Sequence, residues 1–241
     1  MDPTTSKHTA DHGRFPRTRW SVVDRAAKGD SAAREALEVI CRDYWYPLYA
    51  YARRSGQAVA DAEDLTQGFF HTLLGKDWLA MADPEKGRLR TFLLTAFRRF
   101  MAKEWRRETA AFRGGGEQPV PLEDGEARYL EAQSGLSADQ LFDRQWALTL
   151  IDRTIATLQQ EAEDAGKANE FERLKETLMA LRGGIDYEGL ARQLNSTEGA
   201  VRVAVHRLRK RFRTYFRTEV ERTLGEGENL EVELRYLASM L

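Results

Sequence analysis

Apolar positions along this chain recur at intervals of three and four and nowhere alternate singly, so the pattern predicts helices throughout and no strands. Residues 20–28 read as a first helix ending at Gly29, and Asp30 or Ser31 caps a second that carries Leu37, Ile40, Tyr44 and Trp45. Pro47 is expected to tighten or kink that element before 48–54 resumes it. A helix over about 59–74 turns Leu65, Phe69 and Leu73 inward and Asp61, Asp64, Gly68 and His71 to another side. A long helix over about 89–107 has a broad apolar face made of Leu89, Phe92, Leu93, Ala96, Phe97 and Phe100. Beyond it, 138 to about 165 carries Leu141, Trp146, Leu150, Ile155 and Leu158 at roughly helical spacing, and a further helix spans 171–181. Near the end, Leu230, Leu234 and Leu237 or Leu241 are spaced for a short amphipathic helix.

The stretch 186–213 has the most specific pattern. Tyr187, Leu190, Ala191 and Leu194 share one helical face, and Asn195 then tolerates left-handed geometry before Ser196, a good N-cap. From Thr197 a new helix begins. Val201, Val205, Leu208 and Phe212 form its inward stripe, and Arg202, His206, Arg209 and Arg213 follow the same spacing one position on. Arg207, Lys210 and Arg211 widen the basic face. A braced short helix followed by a helix with an apolar back and a basic front is what a helix-turn-helix needs to read the major groove. A solvated surface face is the bland alternative, but such a face interleaves acidic residues, and 202–217 contains none.

Net charge changes the picture less than its distribution. The 37 lysines and arginines nearly cancel the 38 acidic residues, for a formal net charge of -1. The charges nevertheless segregate into one basic block from Arg88 to Arg113 and another over 202–217, with acidic residues between and after them. The glycine- and proline-bearing stretch 113–137 reads as a flexible acidic linker. The expected organisation is therefore all-α: a disordered leader at 1–16, a helical domain over 17–112, the linker at 113–137, a helix-turn-helix domain over 138–224 and an acidic extension over 225–241. That extension is expected to pack on the second domain, or else to mask a DNA surface with its opposite charge. Cys41 is the single cysteine, which excludes an internal disulfide and a cysteine-rich zinc site. With no apolar run of membrane-spanning length and no signal peptide, the expected location is the cytoplasm.

Asp61, Glu63 and Asp64 sit in the first turn of a helix, where the helix dipole favours them; no metal site is expected, because no second acidic motif or paired histidine accompanies them. A magnesium-dependent nuclease built on them is the least favoured reading. Over 84–107 aromatic residues interleave with Arg98, Arg99, Lys103, Arg106 and Arg107, a composition suited to opened DNA, with Trp105 the aromatic most open to solvent. No nucleophile-base-acid set or phosphate loop is present, so catalysis and cofactors are not expected.

The order of these motifs, a DAED-L-Q helix, a P-x-x-G-x-x-R-x-F-L segment, a basic helix, a linker and a G-x-V-R-x-x-x-H-R-x-R helix, resembles the extracytoplasmic function group of bacterial RNA polymerase sigma factors. The resemblance spans about 20–216. It implies that 17–112 is a sigma region 2 domain and 138–224 a sigma region 4 domain. It implies also that Asp61, Glu63, Asp64 and Gln67 face the core RNA polymerase, that 75–87 captures a flipped promoter base, and that Arg88, Arg98, Arg99, Lys103, Arg106 and Arg107 contact opened promoter DNA. Arg202, Val203, His206, Arg207, Arg209 and Lys210 would read the upstream element. The chain departs from the family at Gly68, where an acidic residue is usual, and at Arg99 and Lys103, where Asn and Asp are usual. Phosphorylation of Thr66 by a Ser/Thr kinase would add about -1.5 to -2 charge and replace the acid missing at Gly68; an anti-sigma factor is the other expected regulator. The alternative to a sigma factor is a stand-alone helix-turn-helix regulator whose first half binds a ligand or dimerises.

Overall fold

Eight α-helices and one 3-10 turn, with no strand, make up the described residues of this chain, which in this computed structural model are 31–75, 87–111, 135–181, 183–225 and 227–241. The all-α expectation holds for them. The leader, the helix expected over 20–28, nearly all of the 75–87 segment expected to capture a promoter base, and most of the linker expected over 113–137 lie outside the described residues.

The first helix, α1 (Ser31–Arg54), runs through Pro47 as one continuous element, so the proline does not divide it. A buried proline in a helix interior costs about 3 kcal/mol through its missing N–H and its ring clash. The fully buried Tyr44, Leu48 and Tyr49 around it supply enough packing to hold the helix together. Helix α2 (Val59–Gly75) packs against α1 on one side and α3 (Leu89–Ala111) on the other. Its flanking contact with α3 is close: a Cβ added at Gly68 would meet the Phe100 ring at 3.2 Å. That approach gives a physical reason for the absence of an acidic side chain at 68.

Helix α4 (Ala138–Asp164) begins at a reciprocal cap. Gln140 N–H donates to Ser137 Oγ at 3.3 Å, and Ser137 N–H donates to Gln140 Oε1 at 2.9 Å. Such a cap contributes about 1 kcal/mol and fixes where the helix starts. Past the turn at Gly166, α5 (Ala168–Leu174) is followed by a 3-10 turn (Lys175–Leu178), then α6 (Tyr187–Gln193), α7 (Glu198–Glu221) and α8 (Leu230–Met240). The helix expected over 171–181 is thus shorter and tightens into 3-10 geometry. The carbonyls of Thr177 and Ala180 accept from the Arg209 guanidinium of α7 at this end.

Two hydrophobic cores result, and they do not separate at 113–137. Leu141, Phe142, Trp146, Ala147 and Leu150 from the first half of α4 join Ile40, Tyr44, Leu48, Phe69, Leu93 and Phe97 in one cluster, with Val220 of α7 and Leu237 of α8. Trp146 meets Tyr44 edge-on with ring centroids 5.6 Å apart. The second core holds Leu158 from the other half of α4 with Phe171, Leu174, Ala191, Val201, Val205 and Leu208. One long helix therefore serves both. Ion pairs reinforce the joint: Arg153 of α4 reaches Asp43 of α1 at 2.5 Å and Glu219 of α7 at 3.8 Å.

Candidate nucleic-acid interface

The helix-turn-helix forms from local signals. Asp186 caps α6 by accepting the Gly189 N–H at 2.8 Å. A Cβ at 189 would sit 2.2 Å from the capping carboxylate, so a larger residue there would push the Asp186 side chain out of its capping position. Asn195 adopts φ +47, the left-handed geometry expected of it. The cap of α7 falls one residue later than expected, on Thr197 rather than Ser196, with Thr197 Oγ1 accepting the Ala200 N–H at 3.2 Å. Ser196 instead closes the turn through its N–H to the Ala191 carbonyl at 2.9 Å.

The inward stripe Val201, Val205 and Leu208 is buried and Phe212 is half-buried, as the spacing predicts. Opposite them, Val203, His206, Arg207, Lys210 and Arg213 are exposed on the face away from the core. Arg202 is exposed as well, but its guanidinium bonds Glu198 one turn back, Nε to Oε1 at 3.1 Å, and lies 4.1 Å over the Tyr187 ring. It acts as a strut between α6 and α7 in this arrangement. Arg209 departs from its expected role altogether. Its Nε donates to the Thr177 carbonyl at 2.8 Å and its Nη2 to the Ala180 carbonyl at 2.6 Å, so it ties α7 to the preceding segment.

On α3 the expected basic face divides in two. Arg99, Lys103, Arg106 and Arg107 are exposed, Arg107 beside Glu104 at 3.1 Å, and Trp105 stands out among them at 63% exposure. Arg88 and Arg98 are instead engaged by carboxylates from the C-terminal half. Arg88 Nε lies 2.7 Å from Glu228, and its Nη1 lies 2.5 Å from Glu233. Arg98 pairs with Asp139 and donates from Nε to the Tyr51 hydroxyl at 3.0 Å. Arg90, which belongs to the same basic block, is buried between Glu233 and Asp143. Burial alone lowers the pKa of its guanidinium, but the Glu233 hydrogen bond and the neighbouring carboxylates outweigh it and raise the pKa.

No family model, curated protein or solved structure matches this chain. The placement of its own residues therefore carries the functional reading. On α2, Asp61, Asp64 and Gln67 are exposed and share a side, whereas Glu63 is buried and turned away from solvent. Thr66 is also buried, at 0% exposure, and its hydroxyl donates to the Ala62 carbonyl at 2.7 Å. In this arrangement a kinase has no access to that hydroxyl. These two positions are covered because α2 packs against α1 on one flank and α3 on the other. Among the described residues no helix is long and apolar enough to cross a membrane, and no group of His, Cys, Asp and Glu side chains is placed to hold a metal ion.

The C-terminal extension, expected to pack on the second domain, packs on α4 and α7 and also reaches α3. Asn229 caps α8 by accepting the N–H groups of Glu231 and Val232 at 2.9 and 3.2 Å. Tyr236 of α8 donates its hydroxyl to Asp143 at 2.5 Å. Burial, then that hydrogen bond, push its phenol up to about 12. A raised pKa in the folded state means that the neutral phenol contributes stability fully below the ordinary value of about 10, and loses that contribution as pH rises through the folded one. Tyr236→Phe is expected to remove the tyrosinate absorbance step near pH 12 and to flatten the alkaline loss of stability between about pH 10 and 12. A variant with an unchanged alkaline titration curve would refute this placement of the phenol.

Proposed function

We propose that this protein is a sigma factor of the extracytoplasmic function type, which binds core RNA polymerase and directs it to promoters, with no catalysis of its own. The observation that carries the reading is the pairing of two features in one chain. A capped helix-turn-helix exposes Val203, His206, Arg207 and Lys210 on the recognition helix, and a separate helix, α3, exposes Arg99, Lys103 and Arg106 around the solvent-facing Trp105. The first suits duplex readout, where arginine takes guanine edges or phosphates and the Val203 methyls suit thymine. The second suits opened DNA, with phosphates on the cations and a base on the indole. Asp61, Asp64 and Gln67 on α2 form the proposed polymerase contact. A location in the cytoplasm and an anti-sigma factor as regulator belong to the same proposal.

The test is transcription by purified core polymerase, with and without the protein, on random promoter fragments whose starts are mapped. Starts that share upstream elements at two fixed distances are expected. Arg207→Ala combined with Lys210→Ala should weaken them, and should flatten the salt dependence of promoter binding by about 0.9 per lost phosphate contact. Sequence-specific duplex binding without polymerase, and no added transcription with it, would instead identify a stand-alone regulator.

A further inference from the structure

The cations of α3 fall into two sets, and only one of them is paired with carboxylates from the C-terminal half of the chain. Arg90 and Arg98 lie two helical turns apart on one side of α3, with Arg88 just before its first turn, and this set is met by carboxylates from the C-terminal half of the chain. Asp143 of α4 approaches Arg90 at 3.1 Å, and Asp139 of α4 takes Arg98. Glu228, just ahead of α8, lies 2.7 Å from Arg88. Glu233 on α8 is at 0% exposure and divides its two oxygens, one toward Arg88 at 2.5 Å and the other to Arg90.

Glu233 makes this more than a set of surface pairs. A carboxylate out of contact with water is tolerable only while its counter-charges are in place. If DNA phosphates took Arg88 and Arg90, Glu233 would be left buried and unpartnered, and α8 would have to undock. The docking of α8 also depends on Leu237, fully buried, and on the half-buried Leu230 and Leu234, so an apolar anchor delivers the carboxylates to the arginines. Nucleic acid and α8 therefore compete for the same cations, and by linkage each lowers the other's affinity by the same factor.

We propose that α8 and the start of α4 neutralise the Arg88, Arg90 and Arg98 part of the basic surface of α3 by standing in for phosphates, so that the free chain meets opened DNA only through Arg99 to Arg107 until α8 is displaced. The proposal rests on the sigma reading for the role of α3, but its test does not use polymerase. The full-length chain, the variant Asp139→Asn with Glu228→Gln, and a charge-matched control, Glu163→Gln with Asp164→Asn at the far end of α4, are titrated with a fluorescein-labelled single-stranded oligonucleotide across a salt series. The altered carboxylates are all at least partly exposed, so the fold is expected to survive, which circular dichroism checks. Freeing Arg98 and half of Arg88 should tighten binding about tenfold at low salt and steepen the log-log salt slope by about 1, that is, about 0.7 for each fully freed arginine. The control should stay within about twofold of the native chain once the smaller overall charge is accounted for. In parallel, saturating oligonucleotide should speed hydrogen exchange of the amides in α8 of the unmodified protein.

Equal affinities for the two variants, or α8 amides whose exchange is unchanged by oligonucleotide, would overturn the occlusion. So would a failure of all three proteins to bind. Occlusion lost while promoter-specific transcription is retained removes only this inference. Accelerated α8 exchange with no polymerase-dependent transcription removes only the sigma reading.

Discussion

Trp146→Ala is expected to lower the free energy of unfolding by about 3–5 kcal/mol, the range for truncating a large aromatic residue in a packed core. Trp146 is 1% exposed and stacks edge-on against Tyr44, so its removal leaves a cavity between α1 and α4 with rigid walls on both sides. The neighbouring Phe142, Leu150 and Leu48 are themselves fully buried and have little room to collapse inward. The effect should also report on how the two halves of the chain are coupled. Because α4 belongs to both cores, urea unfolding followed at the helix-turn-helix should shift to lower denaturant together with unfolding followed at α1. A loss confined to one probe, with the other midpoint unmoved, would show that the cores unfold independently and that the joint at α4 carries little of the stability.

Thr66→Glu should be nearly as damaging, by at least about 3 kcal/mol, because it places a carboxylate in a site without solvent. The native hydroxyl is accommodated there only because it donates to the Ala62 carbonyl at 2.7 Å within its own helix. Thr66→Val, which keeps the shape and removes the hydroxyl, should cost about 1 kcal/mol or less. Thermal melts of the two variants separate the two effects. A glutamate variant as stable as the native chain would mean that position 66 reaches solvent. The same burial predicts that the intact folded protein takes up no phosphate at Thr66 from a Ser/Thr kinase, which mass spectrometry of the treated chain checks.

The parts of the fold that were legible in the sequence are those fixed within a few turns of chain. The stripe Val201, Val205 and Leu208, the turn at Asn195, the long helices and the exposure of Trp105 follow from spacing and from side-chain chemistry that act locally. Side chains whose partners lie far along the chain were not legible. Arg209 keeps the spacing of a groove-facing residue, yet the carbonyls of Thr177 and Ala180 capture it from another element. Arg90 and Glu233 are 143 positions apart, and nothing in either neighbourhood marks the other as its counter-charge. Glu63 and Thr66 read as polar surface because their burial arises from α2 lying between two helices, a property of the assembly and not of the α2 sequence. Composition placed two basic patches on the chain correctly, but it could not show that the first is partly neutralised from within.

The long helix α4 and the placement of Leu237 have a consequence for how the molecule is made. The core that contains Ile40 also holds Leu237 of α8, which packs on α4 and α7, so that core is complete only after nearly all of the intervening chain has been synthesised. Contacts of such sequence separation form slowly, since the entropy of closing the loop is lost before packing repays it. During that interval the flanks of α4 and α7 that α8 covers stay open to other nascent chains. Expression at reduced temperature, or with holdase chaperones in excess, should therefore raise the soluble yield more than any change to the exposed charges of the finished protein.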